Sequence, residues 1–158
     1  MSDFVAGVDP GLSGAVAVLT RGGDVVNVYD VPTLQVGGGK RREYNIPELV
    51  RLVELIGRAA VWVVEHQSPR PESPVVSFKV GLGYGVWLGV LSALSRPHMV
   101  VLPQTWQKAM YAGAHGEGKD RSILVAGRLF PNVRLARHDW ADALLIAEWG
   151  RRELWGTG

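Results

Sequence analysis

Short apolar runs separated by turn residues occupy the first part of the chain and predict β-strands. Residues 4–8, 14–20 and 25–31 are such runs, and Arg21-Gly22-Gly23-Asp24 provides the turn between the last two. Strands this close in sequence predict an antiparallel meander. The stretch 34–42 combines three consecutive glycines with Lys40-Arg41-Arg42 and predicts a mobile basic loop, for which a solvated surface is favoured over a defined binding site.

Helical spacing begins at Asn45-Ile46-Pro47-Glu48, where proline is tolerated in a first turn. The later pattern predicts strands at 61–65 and 99–102. It predicts helices at 78–94, at 119–130 and from near 138 through 151, and a short helix start at 103–106. Because a helix separates the strand at 61–65 from the meander, we expect it to run parallel to the first strand. The order predicts an α/β fold with a five-stranded mixed sheet and helices on both faces, which is also the order of the RNase H-like fold.

Four glycines interrupt the helix predicted at 78–94, and each costs about 0.8–1 kcal/mol in a helix interior. An irregular first turn would offset that cost, as would close approach of another backbone, of a dimer partner or of nucleic acid. The segment is therefore a candidate for close packing at an interface or against DNA.

One domain spanning residues 1–158 is expected, since 158 residues with 47% hydrophobic content can bury roughly 70% of the unfolded surface. Disulfides and thiolate zinc sites are excluded, because the chain has no cysteine. The apolar stretches are too short to span a bilayer, and no secretory signal is visible. A cytoplasmic protein is expected, in a bacterium or a phage-infected host cell, or an organellar one if a transit peptide was removed.

Acidic residues stand at three separated places where predicted elements end or begin. Asp9 follows the first strand, Glu65 closes the apolar strand at 61–65, and Asp139 and Asp142 lie three residues apart on the last helix. Taken singly, Asp9 also suits an Asp-Pro-Gly turn and Asp139 a helix cap, whereas Glu is almost never buried without a partner. Together they predict a site for Mg²⁺, with Mn²⁺ as a substitute, because every candidate ligand is a hard oxygen donor.

Two divalent ions held by such carboxylates stabilise the attacking and the leaving oxygen of a displacement at phosphorus. The formal charge of +2 does not by itself identify a nucleic-acid-binding protein. With the four acids set aside, however, eleven carboxylates remain against 17 basic residues, and the remaining surface suits a phosphate backbone. Chemistry alone thus predicts a two-metal nuclease or a phosphotransferase.

Several further residues are candidates for contact with nucleic acid, each with a structural alternative. Lys119 and Arg121 follow a glycine-rich stretch and either reach the scissile phosphate or form a solvated helix end. His138 precedes Asp139 and suits a cap or a phosphate contact, and His66 faces away from Glu65 as a structural residue. Aromatic side chains in the apolar segments either stack on bases or belong to the core (Tyr84, Trp87 and Trp106). The nucleic-acid-binding candidates are Arg70, Lys79, Tyr84, Lys119, Arg121 and His138.

Three segments resemble the RuvC family of Holliday junction resolvases, and the resemblance covers essentially the whole chain. They are Gly7-Val8-Asp9-Pro10-Gly11, the strand ending in Glu65, and Asp139-Trp140-Ala141-Asp142-Ala143-Leu144. Two others are more similar to the plant chloroplast branch with its bacterial and phage relatives, namely Gly81-Leu82-Gly83-Tyr84-Gly85-Val86-Trp87 and Gly118-Lys119-Asp120-Arg121 with Leu129-Phe130-Pro131.

The resemblance implies a homodimer that binds a four-way DNA junction and nicks two strands of like polarity symmetrically. It implies that the four acids named above bind metal and that Lys119 assists catalysis. The loop after Glu65 departs from the bacterial pattern at Pro69, Pro71 and Pro74, so no junction-opening aromatic residue is carried over.

Three alternatives stay open on the sequence. One is another RNase H-like nuclease, acting on RNA/DNA hybrids, branched DNA or ordinary duplex. A second is an actin-like sugar kinase or ATPase, which is disfavoured because that architecture needs two such domains. A third is a junction-binding protein without activity, which the intact set of acids disfavours.

Overall fold

A computed structural model of the protein describes residues 2–115 and 118–156, without the side chain of Lys119. Its elements, in chain order, are β1 (Phe4–Asp9), β2 (Ala15–Thr20), β3 (Val25–Asp30), β4 (Thr33–Gln35), β5 (Arg42–Tyr44), α1 (Ile46–Ile56), β6 (Ala60–Glu65), α2 (Pro74–Ala93), β7 (His98–Val101), α3 (Pro103–Met110), α4 (Gly118–Leu129) and α5 (His138–Trp155). Five strands form one sheet in the order β3-β2-β1-β6-β7, with β1 to β3 antiparallel and β6 and β7 parallel to β1. The predicted mixed sheet and the parallel strand at 61–65 are confirmed.

Each face of the sheet packs against its own set of helices, because neighbouring residues of a strand point to opposite faces. Val5 and Val63 belong to the apolar cluster that contains α3, α4 and α5. Val8 and Val64 belong to the cluster with α1 and α2. Asp9 and Glu65 lie an even number of residues from Val5 and Val63, so both carboxylates point to the α5 face.

Helix α5 packs on the centre of the sheet so closely that its backbone approaches Gly7 of β1. A Cβ atom added to Gly7 would lie 2.3 Å from the backbone nitrogen of Ala147, and one added to Gly150 would lie 2.4 Å from a methyl carbon of Val63. Neither position has room for a side chain. The close contact of α5 with β1 fixes where the helix begins relative to the end of that strand.

The loop predicted for residues 34–42 is confirmed for residues 36–41 only, because its two ends pair as the antiparallel strands β4 and β5. Gly37 and Gly38 lie between them with φ of 69° and 65°, a backbone conformation that glycine adopts without strain. The amide of Val36 donates to the carbonyl of Arg41 at 3.0 Å and closes the turn. The basic residues therefore belong to an ordered hairpin.

Helix α2 begins at Pro74, four residues before its predicted start. Ser73 caps the helix by accepting a hydrogen bond from the Val76 amide at 3.3 Å, and proline suits the first turn that follows. The helix has 20 residues and a mean hydropathy of 1.4, so by length and composition it is able to cross a membrane, contrary to the prediction from the sequence. Helix α2 connects the parallel strands β6 and β7 as a crossover helix. Its residues Trp87 and Leu91 are fully buried against the sheet.

Candidate metal centre

Asp9 ends β1 in a tight turn. One carboxylate oxygen, Oδ1, accepts a hydrogen bond from the Gly11 amide at 3.2 Å, and a Cβ on Gly14 would lie only 2.0 Å from the Asp9 carbonyl oxygen. Burial raises the pKa of Asp9 from its ordinary 3.8 to about 7; the Gly11 amide opposes that rise. The carboxylates of Glu65, Asp142 and Asp139 raise the pKa further. Asp9 therefore lies among other acids.

Glu65 ends the neighbouring strand, and a different side chain holds each of its oxygens. The indole Nε1 of Trp106 donates to Oε1 at 2.9 Å, and Nε2 of Gln67 donates to Oε2 at 3.0 Å. Burial is the main cause that raises the pKa of Glu65, the hydrogen bond from Trp106 lowers it, and the charge of Asp142 raises it. The carboxylate is thus fixed in orientation by two neutral donors.

The first turns of α5 bring the remaining two acids to the same end of the sheet. Asp139 is the second residue of the helix and Asp142 the fifth, and both act on Asp9 through their charge. Asp142 also acts on Glu65 and on Tyr111. The structure therefore gathers the four acids predicted from the sequence into one electrostatically coupled group.

These residues fit a hard divalent cation by their chemistry. The four side chains offer oxygen donors only, and like charges close together in a partly buried place are stabilised by a cation. Among the described residues, 2–115 and 118–156, no group of three histidine, aspartate or glutamate side chains has the geometry of a metal site. Their role as metal ligands stays a prediction.

A cleft of about 630 Å³ opens beside Asp142 between α3 and α4. Its polar side chains are Gln104, Gln107, Lys108, Tyr111, Arg121 and Ser122. The hydroxyl groups of Tyr111 and Ser122 lie 2.6 Å apart, and the guanidinium of Arg121 lies over the Tyr111 ring at 5.4 Å.

Sequence reasoning missed the contribution of α3 to this cleft. Gln104, Lys108 and Tyr111 recur at spacings of four and three residues, the first two on one side of α3 and the third at its C-terminal cap. This helical spacing is the signal in the sequence that would have identified them.

The predicted nucleic-acid contacts are divided between the two faces of the sheet. Arg121 lines the cleft, and the charge of the exposed Arg70 lowers the pKa of Glu65, so both lie near the acids. Lys79 is exposed on α2, whereas Tyr84 packs edge-on against His66 at 5.4 Å on the face opposite to Glu65. His138 is the first residue of α5.

The aromatic residues that the sequence left undecided are settled in part. Trp87 and Trp106 are buried in the core, and Trp106 also holds Glu65 through its indole nitrogen, a function that the sequence did not indicate. Lys119 was predicted as a catalytic helper and a nucleic-acid contact, and its side chain lies outside the described part of the structure.

Comparison with solved structures places this architecture among RNase H-like folds, and more narrowly with that of RuvC. The chain is 22% identical to RuvC of Thermus thermophilus in complex with a Holliday junction substrate, with a TM-score of 0.68 over 98% of this chain and 97% of that one. A second structure of Thermus thermophilus RuvC gives 18% identity and a TM-score of 0.60, over 98% and 97% of the two chains. The yeast mitochondrial Holliday junction resolvase Ydc2 gives 15% and 0.58, over 96% of this chain and 78% of that one. No family model and no curated protein matches the sequence. The protein therefore has the RuvC-like fold.

Proposed function

We propose that the protein is a divalent-metal-dependent endonuclease that resolves four-way DNA junctions. The observation that carries the proposal is the coupled group of four acids at the ends of β1 and β6 and the start of α5. The fold supports it, because a RuvC bound to a Holliday junction matches this chain over nearly its whole length.

Asp9, Glu65, Asp139 and Asp142 are the residues that would hold the metal. When bound, the ion supplies charge stabilisation at the phosphoryl group and lowers the pKa of a bound water. The chain itself orients the ligands, since the Gly11 amide fixes Asp9 and the side chains of Trp106 and Gln67 fix Glu65.

The cleft between α3 and α4 is the proposed path of the strand that is cut. Lys108 and Arg121 offer positive charge to its phosphates, and Gln104 and Gln107 offer amide donors beside Asp142. Lys119 is the second residue of the helix that contains Arg121, and its proposed catalytic assistance rests on the resemblance.

Helix α2 is the proposed dimer contact. Phe78 is 72% exposed, and Gly81, Gly85 and Gly89 follow it on the outer side of the helix with open space above them. An exposed apolar surface of this kind is typical of an interaction site, and the glycines allow a second helix to approach closely. A twofold dimer would place one set of acids at each of two symmetric strands.

The dimer contact is tested by Phe78→Asp. We expect the variant to elute as a monomer in size-exclusion chromatography with light scattering, because a buried charge disrupts an apolar contact. Leu55→Asp on α1 is the matched control, since Leu55 is also 72% exposed, and it should leave the molar mass unchanged. A dimeric Phe78→Asp variant would refute the assignment of α2.

The activity itself is tested on three substrates side by side: a synthetic four-way junction, an RNA/DNA hybrid and linear duplex DNA, with and without Mg²⁺. We expect Mg²⁺-dependent nicks at symmetric positions on two strands of the junction only. Preferential cleavage of the hybrid would favour an RNase H-type nuclease, and binding without any cleavage would favour a junction-binding protein. Either result would overturn the proposal.

A further inference from the structure

The β4–β5 hairpin is fixed to the turn that carries Asp9. The hydroxyl of Tyr44 donates to the carbonyl oxygen of Pro10 at 2.8 Å, and the guanidinium of Arg42 donates to the Ser13 hydroxyl at 2.9 Å. Both acceptors lie within four residues of Asp9. The position of the hairpin is thus coupled to the turn beside the acids.

Helix α2 holds the same hairpin from the other side. Gly83 is buried, and a Cβ atom added there would lie 2.0 Å from the Tyr44 hydroxyl oxygen. The absence of a side chain at Gly83 therefore creates the place in which Tyr44 lies. This explains one of the four glycines of α2 by contact with the hairpin.

The anchored hairpin presents positive charge to solvent. Lys40, Arg41 and Arg42 are exposed, and the only carboxylate between residues 33 and 44 is Glu43, which pairs with Arg41. Lys79 of α2 lies at the rim of a groove of about 350 Å³ that Arg41 and Arg42 also line, and its other walls are mostly apolar and include Phe78. Arg41 and Arg42 of the hairpin and Lys79 of α2 thus line the same groove, and the exposed Lys40 precedes them in the turn.

Lys79 also lies near the turn that carries Asp9. A small crevice of about 90 Å³ lies between Lys79, Tyr44 and the turn residues Pro10 and Gly11, and Gln67 also lines it. Gln67 is the residue that holds Glu65. The hairpin and α2 lie on the α1 and α2 face of the sheet, whereas the cleft of α3 and α4 lies on the other face.

We propose that the hairpin and Lys79 form a second DNA contact, which binds backbone phosphates on the face opposite to the α3–α4 cleft. The inference rests on the proposed function, since it takes the substrate to be DNA. Exposed cations with few carboxylates among them bind phosphates, whose contacts position the duplex without reading its sequence. Two contacts on opposite faces of one site would hold the DNA on both sides of the scissile phosphate.

The test uses the double variant Lys40→Gln/Lys79→Gln, which removes two charges and leaves the anchoring residues Tyr44 and Arg42 in place. The matched control is Arg58→Gln/Arg128→Gln, since Arg58 precedes β6 at the end of that strand opposite to Glu65, and Arg128 lies two turns beyond Arg121. Both arginines are exposed. Binding of a synthetic four-way junction is measured by fluorescence anisotropy in EDTA at NaCl concentrations from about 50 to about 200 mM.

We expect Lys40→Gln/Lys79→Gln to bind the junction about tenfold more weakly at low salt, and the slope of log K against log salt to fall by about 1.8, at roughly 0.9 for each lost phosphate contact. The control should retain the wild-type slope. The same slope in the double variant and the wild type would refute the second contact and leave the nuclease proposal standing. A wild-type protein that binds no DNA would refute both.

Discussion

Replacing Asp9 with asparagine is expected to abolish cleavage and, at the same time, to stabilise the metal-free protein. The carboxylate has a pKa of about 7 in the folded chain and its ordinary 3.8 in the unfolded chain, because folding buries it among other acids. Ionised Asp9 therefore opposes folding. Asparagine keeps an oxygen for the Gly11 amide and removes the charge.

The size of the effect follows from the two pKa values. Each unit of pKa corresponds to about 1.4 kcal/mol, so the difference between 3.8 and about 7 gives an upper bound of about 4 kcal/mol. The folded state binds the proton more tightly, so the contribution of Asp9 to stability is fully present below pH 3.8 and is lost as pH rises to about 7. The advantage of Asp9→Asn should thus grow over that window and stay constant above it.

Thermal unfolding in EDTA at several pH values measures this difference. At pH 8 we expect Asp9→Asn to unfold about 5–15 °C above the wild type, since about 1 kcal/mol shifts the Tm of a chain this long by roughly 2–4 °C. Mg²⁺ should then raise the Tm of the wild type more than that of the variant. Asp3→Asn, at an exposed position, is the control and should shift nothing.

A variant no more stable than the wild type at pH 8 would refute the buried acidic environment of Asp9. Retained nicking by Asp9→Asn in Mg²⁺ would refute its role in the metal centre. The two readouts are independent, because the first is made without metal and the second with it.

Two further substitutions test contacts behind the site. Trp106→Phe should weaken Mn²⁺ binding, measured by calorimetry, about 10–100-fold, because Glu65 loses a donor that orients it. High Mg²⁺ should restore cleavage. An unchanged Mn²⁺ affinity would contradict this role of Trp106. Gly83→Ala should lower the free energy of unfolding by about 1–3 kcal/mol through its clash with Tyr44. Gly85→Ala has open space around it and should raise that free energy by about 0.5–1 kcal/mol at low protein concentration. Denaturant titration measures both changes, and equal effects would contradict the contact between Gly83 and Tyr44.

The strands of the main sheet and the grouping of the acids were predictable, because buried strands leave long apolar runs in the sequence. Asp9 and Glu65 end such runs, and the three-residue spacing of Asp139 and Asp142 is visible once a helix is assigned. The sequence therefore predicts those parts of the fold that buried apolar residues define.

The hairpin was missed for the opposite reason. Strands β4 and β5 have only three residues each and are largely exposed, so no alternation of apolar and polar residues marks them. Their pairing depends on Tyr44, whose partners Pro10 and Gly83 are distant in sequence. The early start of α2 was missed because Pro74 follows two other prolines and suggested a loop.

The contact between α5 and the sheet limits how the geometry of the candidate metal centre can vary. A side-chain contact adapts by rotation, but at Gly7 a Cβ atom would meet backbone atoms of Ala143 and Ala147, which cannot rotate away. The spacing between the acids on the strands and those on the helix is thereby set inside the protein, where α5 packs on β1. Variation among proteins of this fold is therefore expected in the loops and the hairpin, whereas Gly7 has no room for even one methyl group.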